Sequence, residues 1–186
     1  MHAHCLEILA PVLSQTKHPT RVLDVGSGSG YLTACFAMMI DNHDEFAKST
    51  HSVEVEDKTT IGLSDTVYPI IVGIDHSEAL VERSKENLRK DGKGKFLEHP
   101  NPLLFFTAGD GRNGFPLYAP YDVIHCGAAS PEKPTKLLEQ LAPGGRAIVP
   151  VGKDWQSLIV YDKDGNGVIS EKSLMGVSYV PLTSIK

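Results

Sequence analysis

An α/β fold, doubly wound around a mostly parallel sheet with an antiparallel edge, is what this 186-residue sequence predicts. Three observations point to it. The apolar run Val22–Val25 enters a glycine-rich turn, Gly26-Ser27-Gly28-Ser29-Gly30, and a helical pattern then opens at Tyr31. Three apolar runs end in, or run into, an acid: Asp24, Asp75 and Asp110. Acids at such positions gather along one edge of a parallel sheet. Beyond about residue 146, strand-like runs follow one another without helices between them, which reads as hairpins.

The elements follow in order. Residues 5–13 carry a helical apolar pattern ahead of a strand at 21–25 and a helix at 31–40 (Leu32, Cys35, Phe36, Met39, Ile40). Residues 41–69 hold Asp41, Asp44, Glu45, Glu54, Glu56 and Asp57 without a sustained apolar period, and read as a long, mobile acidic insert within a single domain spanning 1–186. A strand at 70–75 leads to a helix at 77–90, with Ser77 as N-cap, Leu80, Val81, Ser84 and Leu88 on one face, and Gly92 and Gly94 suited to its C-terminal cap. Strands at 103–108 and 121–125, a helix at 134–141, a Pro143-Gly144-Gly145 turn, and strands at 146–150, 157–162 and 173–179 complete the chain. No internal repeat is visible.

The glycine spacing is G-x-G-x-G, without the displaced third glycine of the dinucleotide fingerprint, so a nicotinamide cofactor is disfavoured. Glycines let the backbone approach a ligand closely, and a helix N-terminus adds donors. Asp24 just before the turn would repel a pyrophosphate and suits a cationic amine. S-adenosylmethionine carries one, together with a sulfonium. Asp75 stands where such folds hydrogen-bond ribose hydroxyls, and Asp110 lies between Gly109 and Gly111, where a ligand can come close.

Longer stretches carry more. DVGSGSGYLTACF (24–36), GIDH (73–76), GDGR (109–112), PYDVIHCGAASP (120–131), LAPGGRAIVPVG (141–152) and LMGVSYVPLT (174–183) together resemble the protein-L-isoaspartate (D-aspartate) O-methyltransferases. The resemblance covers nearly all of the chain outside 41–69. It implies a Rossmann-like class I S-adenosylmethionine-dependent methyltransferase. In it Gly26, Ser27, Gly28, Ser29 and Gly30 wrap the amino-acid end of the cofactor near Asp24. Asp75 takes the ribose with His76 beside it, Asp110 and Gly111 flank the adenine, and His2 and Thr183 border the same pocket. The loop 125–130 (His125, Gly127, Ala128, Ala129) is implied in the peptide site. The family's I-S-A-P stretch, with its active-site serine, has no counterpart in 1–186, so the resemblance assigns no catalytic residue here, and 41–69 stands where relatives have a short loop. Substrates implied are L-isoaspartyl and, more weakly, D-aspartyl residues of damaged proteins. A module that binds cofactor without turnover is the alternative.

Methyl transfer to a carboxylate needs no strong base, since the acceptor is already ionised at neutral pH. The absence of a Ser-His-Asp or paired-carboxylate motif agrees with that. A net charge of −5 without a basic stripe disfavours nucleic acid as partner. No apolar run approaches the roughly 20 residues of a membrane span, and no secretory pattern opens the chain. A cytoplasmic monomer is expected. Cys5, Cys35 and Cys126 lie in apolar segments at no metal-like spacing and read as reduced core residues. His43 and His51 among acids read as a solvated loop, and no metal is expected. Asp162 to Ser170 imitates the start of a calcium loop, but Ser173 stands where the closing glutamate belongs, so a hairpin turn is expected. His125, ending a buried strand, reads as a hydrogen-bonded core residue, and Trp155, the only tryptophan, as a packing residue.

Overall fold

The computed structural model describes residues 1–16, 18–43, 69–98 and 102–185. The acidic insert expected at 41–69 falls almost wholly outside these residues. Eleven principal elements follow one another: α1 His2–Gln15, β1 Arg21–Val25, α2 Tyr31–His43, β2 Ile70–Asp75, α3 Glu78–Lys90, β3 Leu104–Ala108, β4 Tyr121–Cys126, α4 Thr135–Glu139, β5 Leu141–Val151, β6 Gln156–Lys163 and β7 Ile169–Val177.

One sheet holds all the strands in the order β3-β2-β1-β4-β5-β6-β7. The first five are mutually parallel, while β6 pairs antiparallel with β5 and β7 antiparallel with β6, which is the expected antiparallel edge. Alternation along each strand divides the core in two. Val22, Ile71, Val123 and Ile148 face Cys5, Leu9 and Leu13 of α1, Phe36 of α2, and Val81 and Leu88 of α3. Leu23, Val72, Ile124 and Ala147 face the other way, against Leu137 and Leu138 of α4. Each such fully buried aliphatic side chain stabilises the fold by about 1.5–3 kcal/mol.

Local chemistry sets the element ends. The Ser77 hydroxyl accepts the Leu80 N–H at 3.4 Å and opens α3. Gly92, at φ +71°, closes it, letting the Lys93 N–H return to the Leu88 carbonyl at 2.9 Å. Gly94 does not cap; it opens a 3-10 turn, Gly94–Leu97.

Several boundaries differ from expectation, among them the end of α2, which runs to His43 and takes in the first residues of the expected insert. α4 stops at Glu139, because Leu141 already pairs with Tyr121 and the Pro143-Gly144-Gly145 turn is a bulge inside β5. β7 begins at Ile169, directly after the hairpin turn, and its charged Glu171 and Lys172 hid that start. It ends at Val177, since the Tyr179 N–H goes to the Gln156 side chain at 2.6 Å and not to the ladder.

The calcium-like loop is a hairpin turn. Asp164 Oδ1 accepts the N–H groups of Asn166 and Val168 at 2.9 and 2.8 Å, and Gly167 adopts φ +84°. No helix among the described residues is long and apolar enough to cross a membrane.

Candidate functional site

The chain passes from β1 outward to β2 and β3, then returns to place β4 on β1's other side. The strand order therefore reverses between β1 and β4, and ligands of open α/β sheets bind beyond the carboxyl ends of the strands at such a point. Gly26 to Gly30 leave β1 there, and Gly127 to Ser130 leave β4 beside them. Gly26, Gly28 and Gly30 have φ of +74°, +56° and +78°, a region that side chains with a Cβ avoid.

The loop is held from behind. The amides of Gly26 and Ser27 both donate to the Ile74 carbonyl, at 2.8 and 3.1 Å, and that of Gly30 to the Ser27 carbonyl at 2.9 Å. The Gly28 amide donates to Asp75 Oδ2 at 2.9 Å. From α3, Ser84 donates its hydroxyl to the Gly28 carbonyl at 2.8 Å, and the Asn87 side-chain amide reaches the Ser29 carbonyl at 3.0 Å. Ser84 and Asn87 were not expected as loop supports, although a serine within the apolar stripe of α3 was the available signal.

Asp75 is buried at the mouth of β2. Its other oxygen accepts the Ser77 N–H at 3.2 Å and meets His76 Nδ1 at 3.0 Å. An ionised carboxylate offers about four acceptor sites, so room remains for a ligand hydroxyl.

Asp24 and His125, expected beside the cofactor and the peptide, lie beneath the surface at 1 % and 3 % exposure. Asp24 Oδ2 accepts the Thr33 hydroxyl at 2.6 Å, and Oδ1 meets His125 Nδ1 at 2.8 Å. Both oxygens are thus engaged within the protein, and Asp24 braces the loop from below. It does not face outward toward a ligand amine. For His125, burial disfavours the charged form, but hydrogen bonds to Asp24 and Cys5 outweigh it and push the pKa up to about 9. The imidazole is therefore a core group held as a cation.

The remaining walls come from distant segments. Asp110 caps the short 3-10 turn Gly111–Asn113 and is clasped by the Arg112 guanidinium, whose hydrogen bonds hold the Asp110 carboxyl below the usual range. Gly111 has no room for a side chain: a Cβ there would come within 2.5 Å of Val25 and 3.4 Å of Leu182. Leu182 in turn donates its N–H to the Ala129 carbonyl at 2.9 Å, and Ala129 donates to the Val180 carbonyl at 2.8 Å. The segment that ends in exposed Thr183 therefore spans from the β4 loop to the Gly111 turn. A Cβ on Gly127 would meet the Gly26 carbonyl at 2.8 Å, so the β4 loop and the glycine loop touch through backbone. Ala128 is buried against Gly26. His2, exposed at the start of α1, stacks at 5.6 Å on Tyr31, directly after Gly30.

The expected positions thus lie at the carboxyl ends of the parallel strands and in the segments that meet them there, with Asp24 and His125 buried beneath. Among the described residues no group of His, Cys, Asp or Glu is arranged to hold a metal ion.

The family model described as protein-L-isoaspartate(D-aspartate) O-methyltransferase matches residues 1–186. The chain belongs to that family. It is 41 % identical over 184 residues to protein-L-isoaspartate O-methyltransferase 1 of Arabidopsis thaliana, covering 99 % of this chain and 67 % of that one. It is 44 % identical, with the same two coverages, to protein-L-isoaspartate O-methyltransferase of Triticum aestivum. A crystal structure from Plasmodium falciparum, described as a protein-L-isoaspartate O-methyltransferase in complex with S-adenosyl-L-homocysteine, superimposes with a TM-score of 0.75. It is 28 % identical, over 98 % of this chain and 73 % of that one.

As a protein-L-isoaspartate O-methyltransferase, this chain uses S-adenosylmethionine, and its residues fit that group. The Ser27 hydroxyl is the one buried side-chain polar atom without a partner among the described residues, and it sits in the glycine loop. Gly28 opens onto free space, its nearest neighbour to a built Cβ being the Gly26 carbonyl at 3.9 Å.

Proposed function

We propose that this chain binds S-adenosylmethionine across the glycine loop and Asp75, and methylates the free carboxylate of L-isoaspartyl and D-aspartyl residues in damaged proteins. The observation that carries this reading is the switch-point crevice itself. A glycine loop pinned to Asp75 forms one wall, and residues 127–130 with the 179–183 segment form the other. The bound cofactor supplies an electrophilic methyl group on a sulfonium. The chain's own residues do the rest: Gly26 to Gly30 accept the amino-acid end, and Asp75 with His76 takes the ribose. Gly111 gives the adenine close access to backbone beside Asp110, while His2 and Thr183 border the opening.

The peptide carboxylate is the nucleophile, so the protein's contribution is alignment and exclusion of water rather than proton removal. One C–S bond breaks as one C–O bond forms, giving a methyl ester and S-adenosylhomocysteine. The peptide lies on the side of the β4 loop, where Gly127 is part-exposed, while buried Ala128 and Ala129 shape the backbone beneath it, and the exposed rim beyond admits a protein segment. The protein acts as a cytoplasmic monomer on other proteins.

The test is transfer of labelled methyl from S-adenosylmethionine to an isoaspartyl peptide and to its normal aspartyl counterpart. Transfer to the isoaspartyl peptide alone is expected. Cofactor binding without transfer to either peptide would overturn the enzymatic reading in favour of a binding module.

A further inference from the structure

Trp155 is 94 % exposed, against the sequence expectation that it packs. Its backbone is nonetheless fixed. Gly152, at φ +132°, turns so tightly that a Cβ there would come within 2.0 Å of the Trp155 carbonyl oxygen, and its N–H donates to the Ser130 carbonyl at 2.9 Å. On the other side, the Gln156 side-chain amide both donates to and accepts from the Tyr179 backbone, at 2.9 and 2.6 Å. Val180, the next residue, is 72 % exposed, and its carbonyl takes the Ala129 N–H.

The backbone bonds of Gly152 to Ser130, of Gln156 to Tyr179 and of Ala129 to Val180 therefore bring the turn that carries Trp155, and Val180, to the β4 loop. A tryptophan left in water contributes little to the fold, while its large apolar face on a pre-set backbone suits the anchoring of a partner side chain. Ala128 and Ala129 are themselves buried, and the 152–155 turn and Val180 stand exposed beside the β4 loop that contains them.

Resting on the methyltransferase reading, we propose that Trp155 is a specificity-determining residue: with Val180 it holds an apolar side chain of the substrate polypeptide near the isoaspartyl residue. The occupant is a substrate segment because both residues stand on backbone bonded directly to the β4 loop, the side on which the peptide lies.

The test uses isoaspartyl peptides of glycine and serine in which a single leucine is moved from position to position around the target residue. At one position leucine should lower KM about tenfold. That advantage should disappear in Trp155→Ala and survive largely in Trp155→Phe, with kcat and S-adenosylhomocysteine affinity little changed. Since Trp155 is the only tryptophan, its emission gives a second readout free of turnover, and it should shift to the blue as the leucine peptide saturates. Methylation of the peptides with the same leucine dependence in Trp155→Ala, or with unmoved emission, would overturn the role of Trp155 alone. No methylation of any peptide by the parent protein, with unmoved emission, would overturn both readings.

Discussion

Asp24 and His125 are hydrogen-bonded in the core beneath the glycine loop, and the raised pKa of His125 decides how that loop responds to pH. The two residues are 101 apart in sequence and come together because Asp24 and His125 are register partners on β1 and β4. No local pattern could show this, since it depends on β4 returning to lie against β1. The terminal acids of the strands were legible; which acid faces ligand and which faces a core histidine was not. The pH consequence has a definite sign. The folded His125 pKa is raised from 6.5 to about 9, so its stabilisation is fully present below about 6.5 and is lost as pH rises through about 9. We expect His125→Asn, which removes the titratable cation facing Asp24, to be less stable by about 3 kcal/mol at pH 6. The gap between parent and variant should shrink steadily toward pH 10. Urea unfolding of both proteins across that range checks this, and a gap independent of pH would contradict the raised pKa of His125.

At the scale of the element, the strand-turn-helix unit from β1 to α2 was readable because glycine spacing, apolar run and helical period all agree. The β5 bulge and the start of β7 were not, because pairing with Tyr121 and with Lys163 sets them rather than local propensity. The glycine turn also shows two distinct needs for glycine. Gly28 requires only its left-handed backbone, whereas at Gly30 a Cβ would also stand 2.9 Å from both Phe106 Cζ and Ser84 Cβ. Gly28→Ala should therefore cost about 1–2 kcal/mol of stability. Gly30→Ala should add an overpacking cost and lose about 2–5 kcal/mol in all. Equal chemical-denaturation midpoints for the two variants would contradict the packing of Phe106 and Ser84 beneath the turn.

Over the whole molecule, fold class and the gathering of the site at one sheet edge were legible from the order of strands and acids. The exposure of Trp155 was not, because a lone aromatic between two strands gives no period from which to infer a face. The crevice joins segments from both ends of the described chain, so ligand should stabilise the entire domain. S-adenosylhomocysteine at a hundred times its Kd should add about 2.7 kcal/mol. For a domain of this size that corresponds to a rise in Tm of about 5–10 °C, readable by calorimetry. An unchanged Tm at that saturation would mean that the ligand does not bind the folded crevice.

The bond from Leu182 to Ala129, and the packing of Leu182 over Gly111, carry a consequence for how the protein is made. The glycine loop is translated well before the residues that border the site opposite it, Val180 to Thr183. At about 5–20 residues per second, the loop waits roughly 10–30 s for residues 179–183. During that interval a nascent chain has the floor of the crevice without its far wall. Cofactor binding is therefore a property that the polypeptide acquires only once residues 179–183 have been made, and it marks a chain in which that segment has already docked.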